Sequence, residues 1–391
     1  MPSIKPDVEA FARIKLVGVG GAGGNAVNHM IRLKVQGTDF IAINTDAQDL
    51  HHNLAPKKIH IGKNLTKGLG AGMNPELGRQ AAEETIEEIK DALKGADMVV
   101  VVAGLGGGTG TGAAPVVAEA ARQQGALTIS VATKPFSFEG AQRMRIADGG
   151  MEKLKDAVDA MVMIPNDRLL AVIEKGTSFK EAFIVCDEVV RQAVQGISDL
   201  ITMPGIVNVD FADVKAVMQD AGSALMGIGK GTGETRSTDA AKQAINSPLL
   251  DIAIDGARGV LFAIHGGADM SMWEIQEAAR VITESIDKDA KVIFGAVEDT
   301  RLKKGEMRVT VIASGFPADA RIGMGQPSGV PIASVADTSS TERKRSPSGE
   351  TVISVTKSNP ARTQPAKNEN EEDEEKEDNE WDVPAFFRRR R

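Results

Sequence analysis

Two glycine-rich stretches of the sequence could hold an anion through their backbone. GLGGGTGTG at residues 104–112 contains six glycines and closely follows a run of four valines, and GVGGAG at residues 18–23 fits the pattern GxGxxG. Glycine lets a ligand approach the backbone closely. Each stretch is expected to lead from a strand into a helix, whose N-terminal N–H groups attract negative charge. A chain of phosphates is the fitting ligand, and the hydroxyls of Thr109 and Thr111 would add donors.

The positive charge that a phosphate chain needs is not supplied by these stretches. No lysine follows the second one, so the common phosphate-binding pattern GxxxxGK[ST] is absent. The charge must come from helix dipoles, an arginine or a bound Mg²⁺. The first stretch, with Asp46 after the next strand, would also suit a dinucleotide such as NAD. An NAD-dependent oxidoreductase is therefore the alternative function, although it leaves GGGTGTG unexplained.

The pattern from Arg13 to about Asn166 predicts a parallel sheet covered by helices on both faces, as in a Rossmann-like α/β domain. The expected strands are IKLVGVG, DFIAIN, KIHIG, MVVVVAGL, ALTISVAT and AMVMIPN. The expected helices cover residues 24–35, 75–94, 113–124 and 141–157, and Pro115 falls in the first turn of the third. Ligands of such sheets bind at the carboxyl edge of the strands, where both glycine stretches would lie.

A long helix and a second unit follow this domain. The apolar spacing over residues 178–202 predicts one helix, which the sequence Met203-Pro204-Gly205 ends. The unit at about 210–317 is expected to be α+β with a mixed sheet. Its helices are expected near 211–219, 236–246 and 271–285, and its strands are GVLFAIHG, KVIFGAVED and MRVTVIASG.

Composition narrows the class of protein. The 391 residues are 42% hydrophobic, which is enough for two domains, and the net charge of −8 argues against a protein that coats nucleic acid. The single cysteine, Cys186, excludes an internal disulfide framework and suits a reducing cytosol. No run approaches the ~18 apolar residues of a membrane span, and the start has no apolar segment typical of a signal peptide. We expect a cytoplasmic protein without a transmembrane segment.

The C-terminal part of the sequence predicts a tether. Residues 318–367 are poor in large apolar side chains, and residues 368–380 hold nine acids and one lysine, so a flexible linker is expected over 318–380. WDVPAFFRRRR at residues 381–391 then combines apolar side chains with four arginines. Such a terminal motif is typical of a partner-binding segment.

The motifs together resemble the tubulin/FtsZ family of GTPases, and within it the bacterial FtsZ branch. The family signature is GGGTGTG at 106–112. The FtsZ branch is indicated by GVGGAGGNAVN (18–28), NTDAQ (44–48), FEGAQR (138–143), IPNDRL (164–169), NVDFADV (208–214) and DVPAFF (382–387). The resemblance implies an N-terminal extension (1–12), a GTP-binding domain (13–177), a central helix (178–203), a C-terminal domain (204–317), a linker (318–380) and a terminal peptide (381–391).

The resemblance implies GTP or GDP as ligand, with Mg²⁺ on the phosphates and a monovalent cation as a further candidate. The implied nucleotide-binding residues are Gly20, Gly21, Gly23, Gly24 and Asn25 in the first loop; Asn44, Ala71 and Gly72, with Asp46, near the γ-phosphate; Gly104, Gly106, Gly107, Gly108, Thr109, Gly110, Thr111 and Gly112 in the second loop; Glu139 and Arg143 at the ribose and phosphates; and Asn166, Phe183 and Asp187 at the base.

The base pocket has a physical rationale. Phe183 and Asp187 are four residues apart and share one helix face, which offers a stacking surface beside a carboxylate acceptor. Guanine places two N–H donors side by side, whereas adenine places an acceptor there, so GTP is expected over ATP. Without the resemblance, Phe183 reads equally well as core packing. The pair Glu139 and Arg143 then reads as an exposed i,i+4 ion pair.

The residues for hydrolysis are expected to come from another subunit. Asp210 and Asp213 stand at the start of a helix, where Asp210 also suits an N-cap. The helix at 178–202 would be about 36 Å long, and it separates these acids from the base pocket of their own chain. The resemblance implies that Asn208, Asp210 and Asp213 complete the site of the next subunit in a head-to-tail filament.

The resemblance also implies partners and a location. Asp382, Val383, Pro384, Ala385, Phe386 and Phe387 would bind membrane tethers and division regulators such as FtsA, at the midcell division ring. The run Arg388 to Arg391 departs from the family pattern, and contact with anionic lipid or simple solvation are both open. A non-hydrolysing scaffold of the same fold is a further alternative, against which the intact NVDFAD argues.

Overall fold

The computed structural model describes residues 12–170, 173, 176–203, 205–207, 209–247, 254–299 and 301–316. The expectations for Asn208 and for residues 318–391, including the terminal peptide, lie outside this range. All described residues belong to one compact unit. None of the helices in these ranges is both long and apolar enough to cross a bilayer.

The N-terminal part alternates strands and helices as its apolar pattern predicts. Its strands are β1 (Ile14–Val19), β2 (Thr38–Asn44), β3 (Lys57–His60), β4 (Met98–Gly104), β5 (Leu127–Lys134) and β6 (Ala160–Pro165). Its helices are α1 (Gly20–Arg32), α2 (Ala47–His52), α3 (Lys63–Thr66), α4 (Pro75–Glu84), α5 (Ile86–Leu93), α6 (Thr109–Gln123), α7 (Ala141–Ala157) and α8 (Asn166–Leu169).

The later elements begin with the long helix. They are α9 (Phe179–Thr202), α10 (Phe211–Met218), β7 (Gly222–Thr232), α11 (Arg236–Ile245), β8 (Gly259–Gly266), α12 (Met272–Thr283), β9 (Lys291–Glu298) and β10 (Glu306–Ser314). A capping box starts α9: the Ser178 hydroxyl accepts the Glu181 N–H at 3.3 Å, and the Glu181 carboxylate accepts the Ser178 N–H at 2.8 Å.

The strands form a single ten-stranded sheet in the order β3-β2-β1-β4-β5-β6-β7-β10-β8-β9. Neighbours from β3 to β7 are parallel, β10 is antiparallel to both β7 and β8, and β8 and β9 are parallel. The expected parallel N-terminal sheet and mixed C-terminal sheet are both confirmed. They are joined by the short β6–β7 pairing, Ala160–Val162 against Gly222–Ala224.

One apolar core runs under both halves of this sheet. It contains Leu16 and Val100 from the N-terminal strands, Val194 from α9, and Leu261 and Ile312 from the C-terminal strands. Further clusters cover the opposite faces of the two halves. Because α9 buries its apolar side against both halves, it fixes the position of the C-terminal strands relative to the N-terminal ones.

Four sequence expectations differ from the structure. The helix expected at 24–35 begins at Gly20. The helix expected at 75–94 is two helices, separated at Thr85. The helix expected at 113–124 begins at Thr109, so Pro115 lies inside it rather than in its first turn, which was wrong. In the first and third cases the glycine stretch itself supplies the first helical turn.

The fourth difference is β7, which the sequence analysis missed. Its sequence, GSALMGIGKGT, places glycines at alternate positions 227, 229 and 231, which lowers the apparent strand propensity. A Cβ atom at Gly229 would come within 1.9 Å of the Ala240 carbonyl oxygen. These glycines therefore allow α11 to pack directly on the backbone of β7.

Candidate nucleotide-binding site

The two glycine stretches meet at the carboxyl edge of the parallel strands. They follow β1 and β4, which are neighbours in the sheet. Gly20 begins α1 with a φ of 74°, which favours glycine. A Cβ atom on Gly20 would lie 2.9 Å from the backbone nitrogen of Gly110. The N-termini of α1 and α6 therefore form one cradle, as the sequence predicts.

The glycines of this cradle divide into packing positions and open positions. A Cβ atom at Gly23 would come within 2.4 Å of the Val102 carbonyl oxygen, and one at Gly112 within 1.9 Å of the Pro75 carbonyl oxygen. A Cβ atom at Gly107 would meet no atom within 4 Å, and the residue is partly exposed. Gly107 is thus the position of the second loop with open space beside it, where a ligand could approach the backbone.

A third loop joins the cradle. The Gly108 N–H donates to the Gly72 carbonyl at 2.6 Å, and Gly72 itself is exposed with open space around it. The neighbouring Ala71 is buried. This places Ala71 and Gly72 beside the second loop, where the resemblance predicted contact with the end of the phosphate chain.

Asn44 and Asp46 have structural partners next to the cradle. The Asn44 amide donates to the Asp49 carboxylate at 2.7 Å. Asp46 caps α2 by accepting the N–H groups of Gln48 and Asp49 at 2.9 and 3.0 Å. These side chains hold the shape of the loop after β2, and their contact with phosphate or metal stays a prediction.

Arg143 brings a positive charge to the second loop. Its guanidinium pairs with the Glu139 carboxylate at 2.7 Å, and Glu139 also accepts the Phe136 N–H at 2.9 Å. Gly106 has a φ of 100°, and a Cβ atom there would lie 3.0 Å from the Cγ of Arg143. Both side chains of the pair are largely buried, so the expected surface ion pair is in fact a packed element of the site.

The predicted base pocket contains hydrogen-bond acceptors without donors. Asn166 is buried, and its Oδ1 has no hydrogen-bond partner. In the described part of the chain, the Asp187 carboxylate also has no hydrogen bond or ion pair, and burial raises its pKa to about 7. Phe183 lies edge-on to Phe136 with ring centroids 5.5 Å apart. A buried acceptor without a partner is costly, so a ligand that donates an N–H group to Asn166 Oδ1 would remove this cost. Asp187 is half-buried.

The acids proposed for hydrolysis are not brought to this cradle. Asp210 and Asp213 are exposed at the start of α10. The Asp210 carboxylate accepts the Ala212 N–H at 3.3 Å, so its capping role is confirmed. From Asp187 to the end of α9 at Thr202 the helix rises about 22 Å. Among the described residues, no hydrogen bond or ion pair joins the two carboxylates to the glycine stretches of the same chain.

Two residues of the site were missed by sequence reasoning. Thr45 is fully buried, and its hydroxyl oxygen lies 2.6 Å from that of Thr109 in the second loop. Phe136 forms the wall behind Phe183. Both lie at motifs visible in the sequence, since Thr45 is within NTDAQ and Phe136 directly precedes the SFEG turn.

Two further observations concern the surroundings of the cradle. Within the described ranges, no three His, Cys, Asp or Glu side chains are grouped so that they could hold a metal ion. A groove of about 980 Å³ lies between α4, α6 and α7, behind the second loop. It contains none of the base-pocket residues and no unpartnered buried polar atom, so we place the ligand in the cradle.

Comparison with known proteins agrees with this geometry. Residues 13–174 match the model of the tubulin/FtsZ family GTPase domain, and residues 222–317 match the FtsZ family C-terminal domain. An FtsZ dimer structure from M. jannaschii is 47% identical, covers 78% of this chain and 88% of its own, and has a TM-score of 0.75. CetZ2 from Haloferax volcanii, 23% identical with a TM-score of 0.66, covers 79% and 95% and shares the fold.

The family assignment implies binding of GTP and GDP and supports GTPase activity. The matched FtsZ is archaeal, so the bacterial origin stays a prediction. A GTPase domain over 162 residues, an FtsZ C-terminal domain and a 47% identical relative agree with one another. The chain belongs to the tubulin/FtsZ family of GTPases.

Proposed function

We propose that the chain is a GTP-hydrolysing cytoskeletal protein whose copies assemble head to tail, each site being completed by the next copy. The observation that carries this proposal is the position of Asp210 and Asp213. They are exposed at the start of α10, after the far end of α9, and among the described residues neither carboxylate makes a hydrogen bond or ion pair with the cradle of its own chain. An acid that orients water must reach the γ-phosphate, so the acid comes from a second copy.

In this proposal the triphosphate lies across the N-termini of α1 and α6. The backbone N–H groups around Gly21 and Gly107 donate to phosphate oxygens. Gly107 has open space beside it, and a Cβ atom at Gly21 would meet only the Asp49 carboxylate, at 3.6 Å. Arg143 adds charge from the side of Gly106. Mg²⁺, when bound, would neutralise part of the phosphate charge.

Asp187 and Asn166 select the base. In this proposal the Asp187 carboxylate accepts guanine N1–H and N2–H together, and Asn166 Oδ1, which is buried without a partner, supplies a further acceptor. Adenine would place an acceptor against the carboxylate, which is repulsive. Phe183, backed by Phe136, supplies the stacking surface.

A head-to-tail contact of this kind uses two different surfaces and does not close, so it produces a filament. GTP fills the contact, and water oriented by Asp210, Asp213 and Asn208 of the next copy attacks the γ-phosphate. Loss of the γ-phosphate removes contacts and weakens the interface, so hydrolysis times disassembly. Self-association is in keeping with the 47% identical relative, whose structure is described as a dimer.

The sequence of the tail supports the rest of the proposal. Residues 382–387 bind division regulators such as FtsA, and many tails on one filament bind together more strongly than one. The filament would thus form the division ring at midcell, in the cytoplasm, with Arg388 to Arg391 available to anionic lipid heads. These statements rest on the motifs, because residues 317–391 lie outside the described range.

The test is turnover per subunit as a function of concentration. We expect almost no GTP hydrolysis at high dilution and a rise above a critical concentration. Asp213→Ala should retain GTP binding and lose turnover, and Asp213→Ala subunits mixed into wild-type protein should depress wild-type turnover more than dilution does. Asp239→Ala, which removes a first-turn acid from α11, is the matched control. A turnover per subunit that is independent of concentration would contradict the shared site.

A further inference from the structure

Thr45 and Thr109 form a hydrogen bond between two loops of the cradle. Thr45 directly follows β2 and is fully buried, whereas Thr109 is the first residue of α6 and partly exposed. Their hydroxyl oxygens are 2.6 Å apart. In the ranges that the structure covers, the Thr45 hydroxyl has no other hydrogen-bond partner. A buried hydroxyl therefore contacts the one second-loop threonine whose side chain reaches the surface.

The backbone around Thr45 is held by several contacts. The Thr45 carbonyl accepts the Thr66 hydroxyl at 3.2 Å and lies 3.3 Å from the His60 Nε2. The next residue, Asp46, caps α2 and bridges to Leu69. These contacts hold the backbone of Thr45 in place, and the hydrogen bond to Thr109 holds its hydroxyl at the second loop.

We infer that Thr45 is a positioning residue that directs the hydroxyl proton of Thr109 toward a phosphate of the nucleotide. Each hydroxyl has one proton, and the pair can be arranged in two ways. If Thr109 donated to Thr45, Thr109 would turn a lone pair toward the phosphate oxygens, which also carry only lone pairs. If Thr45 donates, the Thr109 proton is free for the phosphate, and the two hydrogen bonds strengthen each other. The inference rests on the proposed function, because it requires a phosphate beside Thr109.

The experiment measures GTP and GDP affinity below the concentration at which turnover rises. Thr45→Val keeps the shape of the side chain and removes the hydroxyl, and we expect affinity about 3- to 10-fold weaker, the range for one lost hydrogen bond. Thr45→Ser should restore affinity to within about 2-fold, again within the scale of one hydrogen bond. Once Thr109→Val has removed the acceptor, Thr45→Val should weaken binding no further.

The matched control is Thr38→Val, at the start of the strand β2 that Thr45 follows. The Thr38 hydroxyl is buried without a hydrogen-bond partner, so its removal should leave nucleotide affinity unchanged. Additive losses in the double variant, or a Thr45→Val variant that binds like wild type, would overturn the inference. Should Thr45→Val fail to fold, Thr45→Ala gives the same comparison when it is made in the wild-type protein and in the Thr109→Val variant. Failure of the proposed function is distinct, because it would appear as a turnover per subunit that does not depend on concentration, and these affinities are measured without turnover.

Discussion

Gly23 lies against the carbonyl oxygen of Val102 so closely that a Cβ atom on Gly23 would approach it to 2.4 Å. This contact packs the first turn of α1 on β4. Gly107, in the other loop, has no atom within 4 Å of the corresponding position. Glycine is thus required at the two positions for different reasons, the first for packing within the protein and the second for space that a ligand can use.

These two glycines predict separable effects of alanine. Gly23→Ala forces backbone atoms apart and should destabilise the protein by about 1–3 kcal/mol or more. In Gly107→Ala the added methyl group meets no protein atom, so the melting temperature should be nearly unchanged. The same methyl group hinders the approach of phosphate, so GTP binding should be at least about tenfold weaker, or about 1.4 kcal/mol. Thermal melts with and without GTP separate the two. Equal losses of stability in both variants would show that Gly107 also packs.

Asp187→Asn should stabilise the unliganded protein and weaken its preference for guanine. The amide lacks the charge that burial disfavours, so the unliganded variant should unfold at a higher temperature than wild type. Its NH₂ group opposes the guanine N2–H donor, and GTP affinity should fall about 10- to 100-fold, the scale of a hydrogen bond to a charged group. Xanthine places a carbonyl at that position, so xanthosine triphosphate should bind the variant better than GTP. Competition binding of the two nucleotides decides this.

The raised pKa of Asp187 also predicts how pH affects binding. Burial raises the folded-state pKa from 3.8 to about 7, so the folded protein binds more protons than the unfolded chain between these values. Stability without nucleotide should therefore decrease as pH rises through this window, by up to about 1.4 kcal/mol per unit. Guanine requires the carboxylate, so GTP affinity should instead fall as pH decreases below about 7. Asp187→Asn should lack both pH dependences. If either persists in the variant, another group causes it.

His265 predicts the opposite stability effect in acid. It is fully buried in β8, and neither ring nitrogen has a hydrogen-bond partner. Burial, with repulsion from Arg308, lowers its pKa to about 3. Because the unfolded chain binds the proton at about 6.5, stability is present above that pH and is lost as pH falls below it. His265→Met keeps the site filled and removes both unpaired nitrogens. Urea unfolding at pH 7.5 and 5 should show a smaller acid loss in the variant.

The sequence predicted the elements better than their contacts. Apolar periodicity located most strands and the long helix, because α9 buries one continuous face. It missed β7, since Gly227, Gly229 and Gly231 serve a helix contact that only the folded chain contains. The same limit applies to the site. The motifs predicted Asp187 and Asn166, but that their acceptors are left without donors depends on the surrounding atoms, and so does the contact between Thr45 and Thr109.

Asp210 has two roles to separate, because its carboxylate caps α10 and is also proposed to act on the nucleotide of a neighbouring copy. Asp210→Asn keeps a side-chain oxygen that can accept the Ala212 N–H, so stability should change by only a few tenths of a kcal/mol. Asp210→Ala loses the cap and should cost about 1 kcal/mol. If the charge orients or polarises water, both variants should lose GTP turnover at high protein concentration to a similar extent, although only the alanine variant is less stable. Melting temperature and turnover measured on the same samples test this. Full turnover in Asp210→Asn would limit Asp210 to capping and leave Asp213 as the acid that acts on water.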